Sequence, residues 1–568
     1  MVQFRKLGTS TILLLLFFLS CQPALLAVNL IYVSPTGNNT TGNGTISKPY
    51  LTIKKACQVA LPSDTVFLLP GTFLLTGYDS FSPHGTENAL ITIKPYVANT
   101  VIFDGTNAPI TPLESLVKFN GASYAVLEGI EVRNSIGRGI HVYESHHVTV
   151  RNCKVHDIDY RGIGGSGHYV TIDNNECYNC CMSNENQAFG QNGGWPGVIS
   201  TTTFNTTGES CTNWIISNNS IHNCWGEGIV TGSLNGGIVR GNTISNVFSV
   251  SIYIDYGIHQ IIENNYIYFN DPAYRRNGEY ETDGIKWAVE FNTANLFPAY
   301  GVEDLIIRNN LIAGCRKAFS WYHEAPAAGP WLFYTFKDIK IYNNTCYGLT
   351  GSGLYLYANH ANANIVSGCE FRNNIVGNDL YMPSIVGWTF SNNDWVSGIP
   401  PIGQHPNSIA LNPQFVSPAI GASPVNFKLL VSSPCIDAGI PVSQVLTDFW
   451  GLERSFVSPA MGFYEYSLPV TWNGSISADW NNAGNWTPAG VPGQYHVVKI
   501  PGSTPNTCTV TGTNYYCKSL SVEAGGTLMV NISRQLTIKG TLILKNGSSL
   551  NNSGTIVLLG NLDNQNIP

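Results

Sequence analysis

The chain has 568 residues, of which 11% are charged and 11% aromatic, with 57 glycines and a net charge of −7. That length exceeds one ordinary domain and can bury a substantial core. So few cations leave no basic patch to neutralise phosphates, which argues against a nucleic-acid partner; the aromatic, Asn, Ser, Thr and Gly content suits an extracellular β protein that handles neutral or sugar-like ligands.

Residues 1–27, MVQFRKLGTSTILLLLFFLSCQPALLA, set Arg5 and Lys6 ahead of an apolar run ending near Leu19. This reads as an export signal that is too short for a membrane span. It exits by cleavage after Ala27 or by lipidation of Cys21 as a lipid anchor, so the expected location is secreted or on the outer cell surface. No later stretch could span a bilayer. Thirteen Cys remain beyond Cys21, an odd number that leaves at least one unpaired thiol.

A repeated phrase dominates the middle of the chain. VLEGIEV, VRNCKVHD, IDNNECYN, ISNNSIHN, VRGNTISN, IENNYIYFN, IRNNLIAG, IYNNTCYG, FRNNIVGN and FSNNDW align at Ile130, Cys153, Asn175, Asn219, Asn242, Asn265, Asn310, Asn344, Asn374 and Asn393. Successive differences of 23, 22, 44, 23, 23, 45, 34, 30 and 19 define a unit of 22 to 23 residues, sometimes doubled or interrupted. Each unit alternates apolar and polar residues and then turns at Asn, with no helical period. One coil of a parallel β-helix fits. Asn tolerates left-handed backbone, and its amide can bond to the same amide in the next coil. Parallel strands are expected from about residue 30 to 467. The doubled spacing between Asn175 and Asn219 reads as one coil with an insertion at 181–212, whose base would carry a disulfide, Cys180 to Cys224 or Cys181 to Cys211.

The strands GIHVY, GIGGS, GIVTG, SIYID, GIKWA, AFSWY and GLYLY align before the Asn turns. Alternation points one column outward, namely His141, Gly164, Val230, Tyr253, Lys286, Ser320 and Tyr355, beside a second that includes Asp255, Ala288, Tyr322 and Tyr357. Long insertions near the same coils bring Trp195, Arg275, Arg276, Glu279, Glu281, His323, Glu324 and Trp331. Loops beside one charged patch mark a candidate groove. Tyr253, Asp255, Arg275, Arg276 and Tyr355 are its expected substrate-binding residues.

The stretch IYVSPTGNN…KPYLTIKKACQVA…DTVFLLPGTF resembles the start of secreted bacterial right-handed β-helix proteins of the pectin-lyase-like kind, in which a short amphipathic helix caps the first coil. SSPCIDAGIPVSQVLTDFWGLERSFVSPAMGFYEY, at 432–466, resembles their closing segment. The expected fold is therefore all-β, a right-handed parallel β-helix over 28–467 with an N-terminal capping helix, followed by a smaller β-rich accessory domain over 468–568.

NGEYETDGIK resembles a local motif of the chondroitinase B and alginate lyase family of calcium-dependent polysaccharide lyases. That resemblance implies Glu279 and Glu281 as Ca2+ ligands and Lys286 as the base, because a hard cation neutralises a uronate carboxylate and acidifies the C5 proton. The family's Arg in the following coil is replaced by Tyr322 with His323 beside it, so one of these would assume the proton-transfer role. A second lyase family on this fold binds calcium through several Asp residues, and Asp255 and Asp283 are too few for it. The leading expectation is a lyase acting by β-elimination on a uronate-containing polysaccharide. Two alternatives stand beside it: a glycoside hydrolase using Asp255, Glu281, Asp283 or Glu290, and a non-catalytic glycan-binding or adhesin-like surface protein.

Overall fold

The computed structural model describes residues 29–188, 196–202, 209–276, 278, 280–289, 301–323, 335–356, 366–377, 380–381, 385–400 and 403–566. The export segment, with Cys21 and Ala27, lies outside the described residues, as do Trp195, Glu279, Glu290, Glu324, Trp331 and Tyr357. Among the described residues no helix is long and apolar enough to cross a membrane.

The protein is a right-handed parallel β-helix. Its front wall contains Asp79–Phe81, Ser115–Asn120, Arg138–Arg151, Ile163–His168, Gly197–Thr201, Glu227–Gly232, Val250–Asp255, Asp283–Val289, Phe319–His323, Leu354–Leu356 and Leu380–Tyr381. Arg138–Arg151 runs on into a second wall, so that the two count as one 24-stranded sheet. A 12-stranded sheet from Gly71–Leu74 to Asp394–Trp395 forms the third wall. Every pairing between these strands is parallel, and Val, Ile, Leu, Phe and Trp fill the interior.

The Asn repeat sets one corner. The first residue of each pair takes positive φ, for example 57° at Asn218 and 56° at Asn264. The second points inward and stacks. From Asn175 through Asn219, Asn242, Asn265, Asn310, Asn344 and Asn374 to Asn393, each Nδ2 donates to the next Oδ1 at 2.9–3.1 Å. Each backbone N–H donates to that same oxygen, so the buried amides are satisfied by one another.

At the N-terminal end the expected cap is the helix Ile53–Cys57, with Thr52 at its N-cap and Ile53, Ala56 and Cys57 buried against the first coils. The C-terminal end differs from expectation. The last strand is Asp394–Trp395, on which Ile409 adds one further parallel bridge, and the chain to residue 467 is otherwise irregular, packing Phe427, Leu429, Met461 and Phe463 against Tyr266, Leu311 and Ile375 on the outside of the third wall. Its apolar side chains seal a face rather than extend the stack. Beyond it, a 6-stranded and two 3-stranded sheets make a second small solenoid. Its pairings are parallel except that of Leu468–Trp472 with Trp486–Thr487, and its separate core is built on Trp472, Trp480 and Trp486.

The doubled spacing is one coil, since Glu176–Cys180 pairs directly with Ser220–Cys224. The insertion is not all loop, however, because Gly197–Thr201 within it joins the front wall between Ile163–His168 and Glu227–Gly232. The expected disulfides do not form. All thirteen described cysteines are free and buried. Cys181 Sγ donates to Pro196 O at 3.2 Å, Cys211 Sγ to Thr202 O at 2.8 Å and Cys224 Sγ to His222 O at 3.2 Å. These thiols pack as small apolar side chains, each also bonded to a main-chain carbonyl.

Candidate active site on the front wall

Parallel register turns the alternation of each strand into a column running along the wall. It reads Ser80, Lys118, His141, Gly164, Ser200, Val230, Tyr253, Lys286, Ser320, Tyr355 and Tyr381. Lys286 is half-buried and faces away from the interior, while its neighbours Ile285 and Trp287 are fully buried in the coil core. Val230, Val250, Tyr253 and Ala288 form a small apolar cluster separate from that core, which floors the wall beside it. The Lys286 ammonium lies 5.5 Å from the Tyr253 ring centre.

A second cation enters from the turn preceding the next strand. Lys317 is three residues before Ser320, and its Nζ sits 3.7 Å from the centre of the Tyr355 ring and 4.0 Å from Asp283 Oδ2. Ser320 Oγ donates to the same Asp283 oxygen at 3.4 Å. Burial lowers the Lys317 pKa, Asp283 opposes this, and the positive charges of Arg316, Lys286 and Arg276 lower it further. Tyr355 stacks on Tyr381 with ring centres 4.6 Å apart and prolongs the aromatic surface.

Beside these groups Arg275 Nη2 pairs with Glu281 Oε1 at 2.8 Å, and Thr350 Oγ1 donates to Glu281 Oε2 at 2.6 Å. Burial pulls the Glu281 carboxyl upward, but the Thr350 hydroxyl, its own backbone N–H and Arg275 outweigh that and hold it below the usual range. Both oxygens of the one described member of the expected calcium pair are thus engaged by side chains of the protein. Among the described residues no three His, Cys, Asp or Glu side chains converge as metal ligands. With both oxygens taken, Glu281 fits an anchoring role for Arg275 better than a calcium site.

The wall therefore brings together Tyr253, Lys286, Ser320 and Tyr355, with Arg275 and Arg276 in the adjoining turn. Asp255 takes the register between Gly232 and Ala288. Tyr322 and His323 pair through their backbones with Ala288 and Val289; their side chains lie outside the described residues. Sequence reasoning missed Lys317, which lies outside the aligned five-residue phrase, and Ser200, whose strand lies within an insertion.

Three comparisons bear on this arrangement. Residues 31–231 match a family model described as Pel9A-like, right handed beta helix region, and residues 185–297 match a right handed beta helix region. Residues 471–567 match a domain of unknown function. A stretch of 110 residues, 19% of the chain, is 33% identical to pectate lyase PEL9 of Emericella nidulans and spans only 26% of that protein. The crystal structure of pectate lyase Pel9A shares 18% identity over 77% of this chain and 97% of its own, with a TM-score of 0.42. PfbA, a surface adhesin of Streptococcus pneumoniae, shares 12% identity over 58% of this chain and 80% of its own, with a TM-score of 0.44. The Pel9A-like match ends at residue 231, before the strand that carries Lys286.

Proposed function

We infer that the protein is an exported polysaccharide lyase that cleaves a uronate-containing polymer by β-elimination. The observation that carries this reading is the pair of lysines on adjacent coils of the front wall, one of them with a lowered pKa beside an aromatic ring and a carboxylate. In this reading Lys286 takes the uronate carboxylate, with Arg275 and Arg276 adding positive potential. Neutralising that group stabilises the charge that develops when the neighbouring carbon loses its proton. Lys317, in its neutral form, accepts the C5 proton; the C5–H electrons become the C4–C5 double bond, the C4–O4 bond breaks, and the leaving oxygen is protonated from the Tyr322 or His323 position or from solvent. Tyr253, Tyr355 and Tyr381 offer ring faces to the sugars.

The hydrolase alternative needs a carboxylic acid held protonated, and Glu281 is shifted the other way. The deciding experiment incubates the protein with polygalacturonate, alginate and chondroitin and follows both the ultraviolet absorbance of the unsaturated uronate and new reducing ends. Absorbance growth that disappears in Lys317→Ala supports the lyase. Reducing ends without absorbance would install the hydrolase, and neither signal would leave the binding protein.

A further inference from the structure

Farther along the same wall is a second group of cations that the proposed reaction does not use. Lys118, on Ser115–Asn120, faces His141 across the register, and its Nζ lies 4.0 Å from the Tyr143 ring centre. Arg138, on the same strand as His141, brings Nη1 to 3.4 Å from His141 Nδ1. Arg161, one coil on, lies 5.6 Å from the Tyr160 ring, which Arg138 approaches from 5.8 Å. His141 is only 5% exposed. The Nε atoms of both Arg138 and Arg161 are buried with no hydrogen-bond partner.

Such a grouping is unfavourable on its own terms. Among the described residues no ion pair involves Lys118, Arg138 or Arg161, and the nearby Glu114 and Glu144 only partly offset Lys118. The strain appears in the charges themselves: burial, and then Arg161, lowers the Arg138 pKa to about 10, and burial followed by Arg138, Lys118 and Arg161 keeps His141 well below its ordinary value. A surface that gathers like charges without a single ion pair among them is built to be completed by an anion. Planar forks flanked by Tyr143 and Tyr160 suit a carboxylate carried on a sugar ring.

We propose that Lys118, Arg138, His141 and Arg161 form a distal subsite for a carboxylate group of the same acidic polysaccharide. It rests on the proposed substrate class and extends it. From His141 the column passes Gly164, Ser200, Val230 and Tyr253 to reach Lys286, five coils away, which is about 24 Å at the strand spacing. A chain of several sugar units is needed to bridge that interval, so the subsite selects longer chains over the shortest oligomers.

The test is binding rather than turnover, so that it stands whether or not the chemistry above is right. Full-length protein carrying Lys317→Ala is run through native gels containing polygalacturonate, alginate or chondroitin sulfate, with dextran as the neutral control. Retardation by at least one acidic polymer is expected. Adding Arg138→Gln and Arg161→Gln should weaken it at least tenfold without lowering the melting temperature, since the change removes repulsion. Lys118→Gln, a milder change, should weaken it severalfold and serves if the double variant fails to fold. Unchanged retardation in these variants, or no retardation of the parent by any acidic polymer, overturns the proposal.

Discussion

Arg454 Nη2 donates to Asn309 Oδ1 at 2.8 Å across 145 residues of sequence. The same guanidinium donates to Gly462 O at 2.8 Å and pairs with Glu465 at 3.4 Å, while Lys518 from the second solenoid reaches the other Glu465 oxygen at 3.1 Å. One buried carboxylate thus joins the coil stack, the closing segment and the C-terminal domain. Glu465→Ala strands two buried cations and should cost about 3–5 kcal/mol. Urea unfolding followed by tryptophan fluorescence measures it, and the C-terminal tryptophans should respond at lower denaturant than in the parent.

The Asn corner makes a sharper prediction. Asn242 accepts from Asn219 N and Nδ2 and donates to Ile216 O and Asn265 Oδ1, all within 3.0 Å. Asn242→Leu leaves buried donors and acceptors on both sides unpaired, at about 1–3 kcal/mol for each group that cannot find another partner. A large fall in melting temperature is expected. Asn218→Gly, at the neighbouring positive-φ position, should cost far less, because glycine already fills that place as Gly241 with φ 65°.

Stability should also depend on Asp394. Burial raises its pKa from 3.8 to about 6, although Leu411 N and the Cys435 thiol both donate to it. A folded pKa above the unfolded one means that the stabilisation is complete below about 3.8, the unfolded value, and is lost as pH rises through about 6. Asp394→Asn should therefore gain roughly 1–3 kcal/mol at pH 8 and almost nothing at pH 4. Chemical denaturation at the two pH values checks the sign.

The lysine pair predicts a pH effect on turnover. Lys286 is one of the charges that lower the Lys317 pKa, after burial and Arg316. Lys286→Gln removes it, so the pH–rate profile should move to the alkaline side while the maximal rate also falls. A loss of rate with an unmoved profile would separate the two lysines and sink the proposed division of labour.

Free, buried thiols should be silent in the native protein. Thiol titration should find almost no reactive cysteine until denaturant is added, and then all thirteen described ones. Reductant should leave the melting temperature unchanged.

Much of this architecture was legible in the sequence because the repeat states its own geometry. Asn at one corner and alternation along the strands gave the coil length, the ladder and most of the outward column. The exceptions share a cause. Gly197–Thr201 is separated from its Asn phrase at Asn219 by an insertion and sits between glycine-rich and polar stretches, so its place comes from pairing with Ile163 and Ile229. Lys317 sits in a turn, where a cation reads as solvated until Tyr355 and Asp283 are seen beside it. The closing segment has no period, because contacts such as Arg454 with Asn309 hold it instead. The engagement of Glu281 by Thr350, 69 residues later, likewise cannot be read from local spacing.

The intervals between ladder asparagines range from 19 to 45 residues, yet the amide bonds that join them vary only from 2.9 to 3.1 Å. Variation in length is therefore kept out of that corner, as at 269–282, the connection from Tyr266–Tyr268 of the third wall to Asp283–Val289 of the front wall. The spine and such connections are thus separately editable. A designer could exchange the connections between walls while the spine keeps time for the whole stack, and natural divergence in such a chain has the same freedom.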